Sequence, residues 1–311
     1  MARQRSDSSS GIAAFDIGSN TVRGILAEPA DAGALRILAA KQRMTALGRG
    51  LSSTTTLDLD GLEGTVAFVA ETMRSWRSPP RAWAVATAAA RNADNAEELL
   101  SRLRTAAGID AQVITGEQEA RLAWLGALSA DPELGDLNPV VVDIGGRSTE
   151  VVFERDGALH AESRYVGARS LTEIVDLGRE PDPLRELRGR IIAIPLLLDV
   201  MPLVRGGGVV VAIGGTAQAA SRLLGKRRIG YDELSALEEE LARLSADERR
   251  RRMPFDPERA EIICAGLLIL SIFAHEAPDR HVVVSEGGVR EGLLLDRTGA
   301  ARLEWPNECF A

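Results

Sequence analysis

Two short segments of this chain carry an aspartate, a glycine and hydroxyl residues in the same order. Asp16-Ile17-Gly18-Ser19-Asn20-Thr21 ends one apolar run, and Asp143-Ile144-Gly145-Gly146-Arg147-Ser148-Thr149 ends another, with one extra residue in the second by simple comparison. Glycine lets a turn approach a ligand closely and aim successive N–H groups at an anion. The hydroxyls of Ser19, Thr21, Ser148 and Thr149 can add donors. One such turn is common in hairpins, where its aspartate only caps the turn. Two copies with the aspartate at the same place suit a clamp on phosphate, with Asp16 and Asp143 facing each other across a hydrated divalent cation. A third glycine turn, Gly214-Gly215-Thr216, leaves a strand and opens a helix. It is equally an anion site at a helix N-terminus or a plain connection.

Phosphoanhydride hydrolysis also needs a group to orient water. Glu117-Gln118-Glu119-Ala120-Arg121 opens a helix just before a loop rich in Asp, Pro and Gly. Acidic residues in a first turn are expected from the helix dipole alone, but this helix could abut the cleft. Arg91, beyond Thr87-Ala88-Ala89-Ala90, is either a phosphate ligand or a solvated surface cation. Ser285 to Gly292 reads as a further turn lining the second half.

These residues need strands to carry them. Apolar runs predict strands over Gly11–Ile17, Val22–Leu26, Leu35–Gln42, Ala82–Ala86 and Ala111–Ile114. Helical spacing from Leu59 to Trp76, stopped by Pro79-Pro80, predicts one helix; Asn95–Ala107 and Glu117–Ser129 predict two more. Val85 to Arg91 runs from a strand into a loop. The pattern then restarts: strands at Val140–Ile144, Glu150–Glu154 and Leu159–Val166, helices at Ala168–Asp176 and Leu184–Val204, and a strand at Gly208–Ile213. The rest reads as helical with one strand at His281–Ser285. This internal repeat predicts two related α/β lobes facing one cleft. The expected division is a disordered tail over 1–10, a first lobe over 11–127 and a second over 128–311, with the boundary loop between Ala127 and Asn138.

Composition narrows the function classes. A formal net charge of −8 argues against broad nucleic-acid binding. No apolar run is long enough to span a bilayer, no secretory signal is evident, and the cytoplasm is the default compartment. Cys264 and Cys309 suggest no disulfide framework, and His160, His275 and His281 have no zinc-ligand spacing. Lys41 and Lys226 are the only lysines, so nearly every cation is an arginine, able to fork two hydrogen bonds onto one phosphate.

The ordered set of motifs resembles the exopolyphosphatase / guanosine pentaphosphate phosphatase family of the acetate-and-sugar-kinase/actin superfamily. It comprises the two Asp-Ile-Gly turns, Ala-Thr-x-Ala-x-Arg, Gly-Glu-x-Glu-Ala-Arg-Leu, Gly-Ala-Arg-Ser-Leu-Thr-Glu, Gly-Gly-Thr and Gly-Gly-Val-Arg-Glu-Gly, and spans about Gly11 to Leu295. The resemblance implies two actin-like, ribonuclease H-like lobes and Mg²⁺-dependent hydrolysis, with Mn²⁺ as a substitute. It implies release of terminal orthophosphate from polyphosphate, or conversion of pppGpp to ppGpp. It assigns Glu119 and Glu150 to catalysis, and Asp16, Asp143 and Glu150 to the metal. Phosphate contacts fall to Gly18, Ser19, Asn20, Thr21, Arg91, Gly145, Gly146, Arg147, Ser148, Thr149, Gly214, Gly215 and Thr216. For long polyphosphate, Lys226-Arg227-Arg228 and Arg249 to Arg252 are candidates for a basic exit path, though such runs are usually solvated faces. Arg147 stands where the family usually has glycine, and Ala88 where it usually has serine. Arg147 binds phosphate, narrows the cleft or points to solvent. A non-catalytic polyphosphate or pppGpp sensor and an actin-like small-molecule kinase remain the alternatives, and the oligomeric state stays open, a homodimer included.

Overall fold

The computed structural model describes residues 11–51, 53–77, 81–129, 131–175 and 183–304. The 1–10 tail, the Pro79-Pro80 stop, Asp176 and Cys309 lie outside them. The first repeat builds β1 (Ile12–Ile17), β2 (Thr21–Pro29), β3 (Ala34–Met44), α1 (Leu59–Ser75), β4 (Arg81–Ala86), α2 (Ala88–Arg91), α3 (Ala96–Ala107), β5 (Ala111–Val113) and α4 (Gly116–Ser129). The second builds β6 (Pro139–Ile144), β7 (Thr149–Arg155), β8 (Ala158–Arg164), α5 (Ala168–Val175), α6 (Pro183–Leu197), α7 (Met201–Gly206), β9 (Val209–Ile213), α8 (Gly214–Leu224), β10 (Arg228–Gly230), α9 (Tyr231–Ala242), α10 (Ala246–Arg252), α11 (Ile263–Glu276) and β11 (His281–Val284). The last described elements are α12 (Val289–Thr298) and β12 (Arg302–Glu304).

The sheets run β12-β3-β2-β1-β4-β5 and β10-β11-β9-β6-β7-β8. Numbered within its lobe, the first runs 3-2-1-4-5 and the second 3-2-1-4-6-5, so each has the same core of three antiparallel strands and then two parallel additions. The fold is therefore two actin-like lobes. Three expectations change. After β9 the described residues hold three strands, β10, β11 and β12, where one was expected. The Thr87–Arg91 stretch is not a loop but the short helix α2. The helix expected over Leu184–Val204 breaks into α6 and α7, because Pro202 at the start of α7 has no N–H to continue the ladder.

Alternation along the strands sorts residues into layers. Ala13, Phe15 and Ile17 pack with Leu62 and Val69 of α1 and with Leu99 and Leu103 of α3. Val140, Val142 and Ile144 pack with α11, which is apolar nearly all round and buried accordingly. The opposite faces share one central layer: Ile12, Ala14 and Ile25 from one sheet, Val141, Val152, Val209 and Val211 from the other, and α4 and α12 between them.

The chain does not divide cleanly at residues 127 and 128. Helix α4 lies against β7 and β8 of the second sheet, α12 lies against β1 of the first, and the two helices cross. β12 then joins the first sheet beside β3, in the register Leu303↔Leu35. The crossing is tight enough to exclude side chains. A Cβ on Gly126 would collide with the carbonyl of Gly288, and one on Gly292 with the carbonyl of Leu122. Gly126→Ala is therefore expected to cost about 1–3 kcal/mol or more by overpacking against backbone. Gly64→Ala, in the middle of α1 with nothing nearer than 3.7 Å, is expected to stabilise by about 0.5–1 kcal/mol. Thermal melting of both variants checks the contrast, and an unchanged midpoint for Gly126→Ala would contradict the packing described.

Candidate active site

The central layer opens at one end, and the two Asp-Ile-Gly turns lie there. Asp16 continues the face of Ile12 and Ala14; Asp143 continues that of Val141. Strand register sets their neighbours: Asp16 lies opposite Arg23, and Asp143 opposite Glu150. In both turns the glycine N–H closes the loop, Gly18 onto the Thr21 carbonyl at 3.1 Å and Gly145 onto the Ser148 carbonyl at 3.0 Å. This corrects the motif comparison: the two turns align with no extra residue. Arg147 is the counterpart of Asn20, and Glu150 that of Arg23. The tips meet across the cleft, since a Cβ on Gly146 would come within 3.1 Å of Asn20 Cβ.

Helix α4 supplies the fourth carboxylate. Thr115 caps it reciprocally: its hydroxyl accepts from Gln118 N–H at 3.2 Å, and the Gln118 side chain accepts from Thr115 N–H at 2.9 Å. Of the two acids in the first turns, Glu117 is exposed and Glu119 is buried on the cleft wall. Arg91 Nη1 donates to Glu119 Oε2 at 2.9 Å and to the Ile114 carbonyl at 2.8 Å. Arg91 thus braces Glu119 and is not part of the cleft wall.

The cleft encloses about 70 Å³, room for a tetrahedral anion and a few waters. Asp16, Gly18, Ser19, Asn20, Thr21, Gly145, Gly146, Arg147, Ser148, Glu119, Asp143, Glu150, Gly214 and Gly215 line it. Thr149 and Thr216 do not. The Thr149 hydroxyl donates to the Val166 carbonyl at 2.6 Å, and Thr216 packs against Gly266 of α11. Two charged lining residues were not found from sequence, Arg23 and Arg259. The correct turn alignment would have exposed Arg23, opposite Asp16. Arg259 had no comparable signal. Its guanidinium is held by Asp256 through Nε at 2.9 Å and lies where any side chain at position 215 would stand. Gly214 adopts φ +87° and comes close to Asp143 Oδ1, which a residue with a side chain would resist on both counts.

Burial dominates the electrostatics. It pushes the Asp16 carboxyl up to about 7, with Asp143 adding to the rise and Arg23 opposing it. Glu150 is also pushed up to about 7 by burial and by the charge of Asp143, against hydrogen bonds from Ser148 and Ser163. Asp143 is raised by burial and eased by Arg23. Glu119 is raised well above the usual carboxylate range by burial and then by Glu150, with Arg91 pulling the other way. Among the described residues no three acidic, His or Cys side chains come close enough to enclose a metal ion by themselves. A hydrated Mg²⁺ does not require that, because it keeps several waters and uses one or two carboxylates with substrate oxygens. The facing pair Asp143 and Glu150 fits this mode, with Asp16 across the cleft.

Arg147 does not point to solvent; its side chain is fully buried. Nη1 donates to the Gly48 carbonyl in the other lobe at 2.9 Å and to Glu173 at 3.3 Å, and Nε donates to the Tyr165 hydroxyl at 3.1 Å. It is not among the residues with positive φ, so replacing glycine here strains nothing. The expected basic exit path is not a free cationic surface. Arg250 pairs with Asp247 and Glu261, Arg252 with Glu240, Lys226 with Glu233, and Arg228 with Asp279, while Arg249 is buried. No helix among the described residues is long and apolar enough to cross a membrane.

Comparison with known proteins agrees with this fold. The Aquifex aeolicus PPX-GPPA enzyme is 30% identical, with 92% of this chain and 99% of that chain covered and a TM-score of 0.72. An exopolyphosphatase-like protein (23% identical, 93% and 99% covered, TM-score 0.82) and an exopolyphosphatase from Cytophaga hutchinsonii (17% identical, 93% and 98% covered, TM-score 0.82) share the fold. The sequence profile of the Ppx/GppA phosphatase family matches residues 27–300. The chain belongs to the Ppx/GppA phosphatase family.

Proposed function

We propose that this phosphatase removes the terminal phosphoryl group of inorganic polyphosphate, or of a nucleotide such as pppGpp, by transfer to water. The observation that carries the reading is Glu119: a buried carboxylate on the wall of a cleft lined by two phosphate-type turns, braced by an arginine that is not itself in the cleft. The turns and the start of α8 offer backbone N–H groups to the terminal phosphoryl oxygens. Asp143 and Glu150 would hold Mg²⁺ or Mn²⁺, with Asp16 reaching it through water. When bound, the cation offsets charge on the phosphoryl oxygens. Glu119 orients a water in line with the scissile P–O bond and takes its proton. The water oxygen bonds to phosphorus, the bridging P–O bond breaks, and the leaving phosphate keeps the electron pair. A raised pKa makes Glu119 a stronger base once it is ionised. The charge of Arg91 keeps that ionised form accessible. A kinase would need a hydroxyl acceptor beside Glu119, whereas hydrolysis needs only water there.

Glu119→Gln is expected to lower turnover about 10²- to 10⁴-fold while leaving substrate binding largely intact. The assay is orthophosphate release with Mg²⁺, without any acceptor, from short polyphosphate, long polyphosphate, pppGpp and ATP in parallel. Near-normal turnover in a folded variant would remove Glu119 from this role. Absence of release from all four substrates by the natural chain would overturn the reaction itself.

The raised carboxyls also fix the sign of a pH effect. Between the ordinary carboxylate range and about 7, folded Asp16 and Glu150 bind more protons than the unfolded chain does. Their contribution to the stability of the metal-free protein is then full at low pH and falls as pH rises through that interval. Divalent cations bind the ionised forms, so the stabilisation they give should grow over the same range. Melting curves with Mg²⁺ or chelator, for the natural chain and for Asp16→Asn with Glu150→Gln, measure both slopes. The variant should show a shallower dependence, the remainder coming from Asp143 and Glu119, and an identical slope in both proteins would contradict the assignment.

A further inference from the structure

Asn20 and Arg147 occupy the same position at the tips of two equivalent turns, one in each lobe, and both line the cleft. Each is fixed through most of its polar atoms. The Asn20 carbonyl accepts from Thr45 and Ala46 N–H, and its Oδ1 accepts from Arg169 Nε. Arg147 is tied to Gly48, Glu173 and Tyr165, with the Tyr165 ring 5.6 Å from the guanidinium carbon. The Gly48 N–H donates in turn to the Ser19 carbonyl at 2.7 Å, so the loop that receives Arg147 is itself part of the first turn's support. Yet among the described residues Asn20 Nδ2 and Arg147 Nη2 are buried with no hydrogen-bond partner. A buried donor left unmade costs about 1–3 kcal/mol, and here two remain, on opposite walls, within side chains otherwise held rigid. Positive charge also gathers at this seam: Arg169 is buried within the electrostatic reach of Arg49 and Arg147, against Glu173 and Glu261. The carboxylates lie elsewhere, Asp16, Asp143 and Glu150 near the strand ends and Glu119 on α4.

We propose that Arg147 Nη2 and Asn20 Nδ2 form a two-jawed clip for oxygens of a phosphoryl group that is not transferred, so that a substrate with at least two linked phosphoryl groups staples the lobes shut. The proposal rests on the phosphoanhydride reading above and adds a specificity determinant to it. The clip acts on binding. Made equally in ground and transition states, it lowers KM and leaves kcat largely alone. It also discriminates: a lone orthophosphate fills the place between the turns without engaging the clip.

The test uses two probes that need no turnover, imidodiphosphate and orthophosphate, titrated calorimetrically with Mg²⁺. Arg147→Gly is expected to weaken imidodiphosphate about 10- to 100-fold, the range for loss of charge-assisted hydrogen bonds, and orthophosphate by no more than about threefold. Asn20→Asp, which replaces a donor with an acceptor, should show the same selectivity. Arg147→Lys keeps the charge without the fork and should recover only part of the loss; it serves as the readout if the glycine variant does not fold. Equal weakening of both probes would mean that Arg147 only supports the fold. Unchanged affinity, or tighter binding by Arg147→Gly, would overturn the clip, the latter by showing that the side chain obstructs the cleft. Selective binding in a chain that hydrolyses nothing would sink the proposed reaction and leave the clip standing.

Discussion

Four carboxylates share one buried cleft, and the rest of the site is arranged around the cost of keeping them there. Isolated burial of that much negative charge would simply protonate it. The protein offsets the cost from several directions. Arg23 faces Asp16 across a strand pair and also eases Asp143; Arg91 pairs with Glu119; Ser148 and Ser163 donate to Glu150. None of these cancels the burial, so all four carboxyls stay raised, Asp16 and Glu150 to about 7. In the proposed reaction a cation and a polyanion would enter together, because each relieves the strain that the other would create.

The architecture that brings the four together is the shared central layer. Strand alternation points Asp16, Asp143, Glu150 and Arg23 to the same side as the apolar residues that the two sheets pack against each other. Helices α4 and α12 fill that layer, and each leans on the other lobe's sheet. The glycine contacts at Gly126 and Gly292 let their backbones touch. Glu119 is carried into the cleft by this crossing and not by its own lobe alone.

The repeat, the strand ends and the glycines of the turns were legible in the sequence because they are local. An apolar run and a turn dipeptide announce themselves wherever they fold. Two of the three-residue strands were not: β10 and β12 exist only because a longer neighbour, β11 or β3, offers a free edge. The glycine contacts at the helix crossing were equally silent, since a close approach is a property of two segments. Arginines were the hardest to place. Arg91 ends as a brace, Arg147 spans the seam, and Arg249 is buried although it belongs to a run of four that reads as surface. A side chain that long can deliver its charge several ångströms from its Cα, so sequence position says little about where the guanidinium lands. Arg259 is the extreme case, with no motif around it and a direct place on the cleft wall.

β12 carries a consequence for biogenesis. The first sheet lacks its edge strand until residues 302–304 arrive, after the entire second sheet has been made. During translation β3 therefore leaves the ribosome with an unpaired edge and waits through the synthesis of a whole lobe. Pairing so distant in sequence is slow to form and exposes aggregation-prone surface meanwhile. The first half of this chain cannot complete its own sheet as it emerges, because β12, its edge strand, is made only after the second lobe.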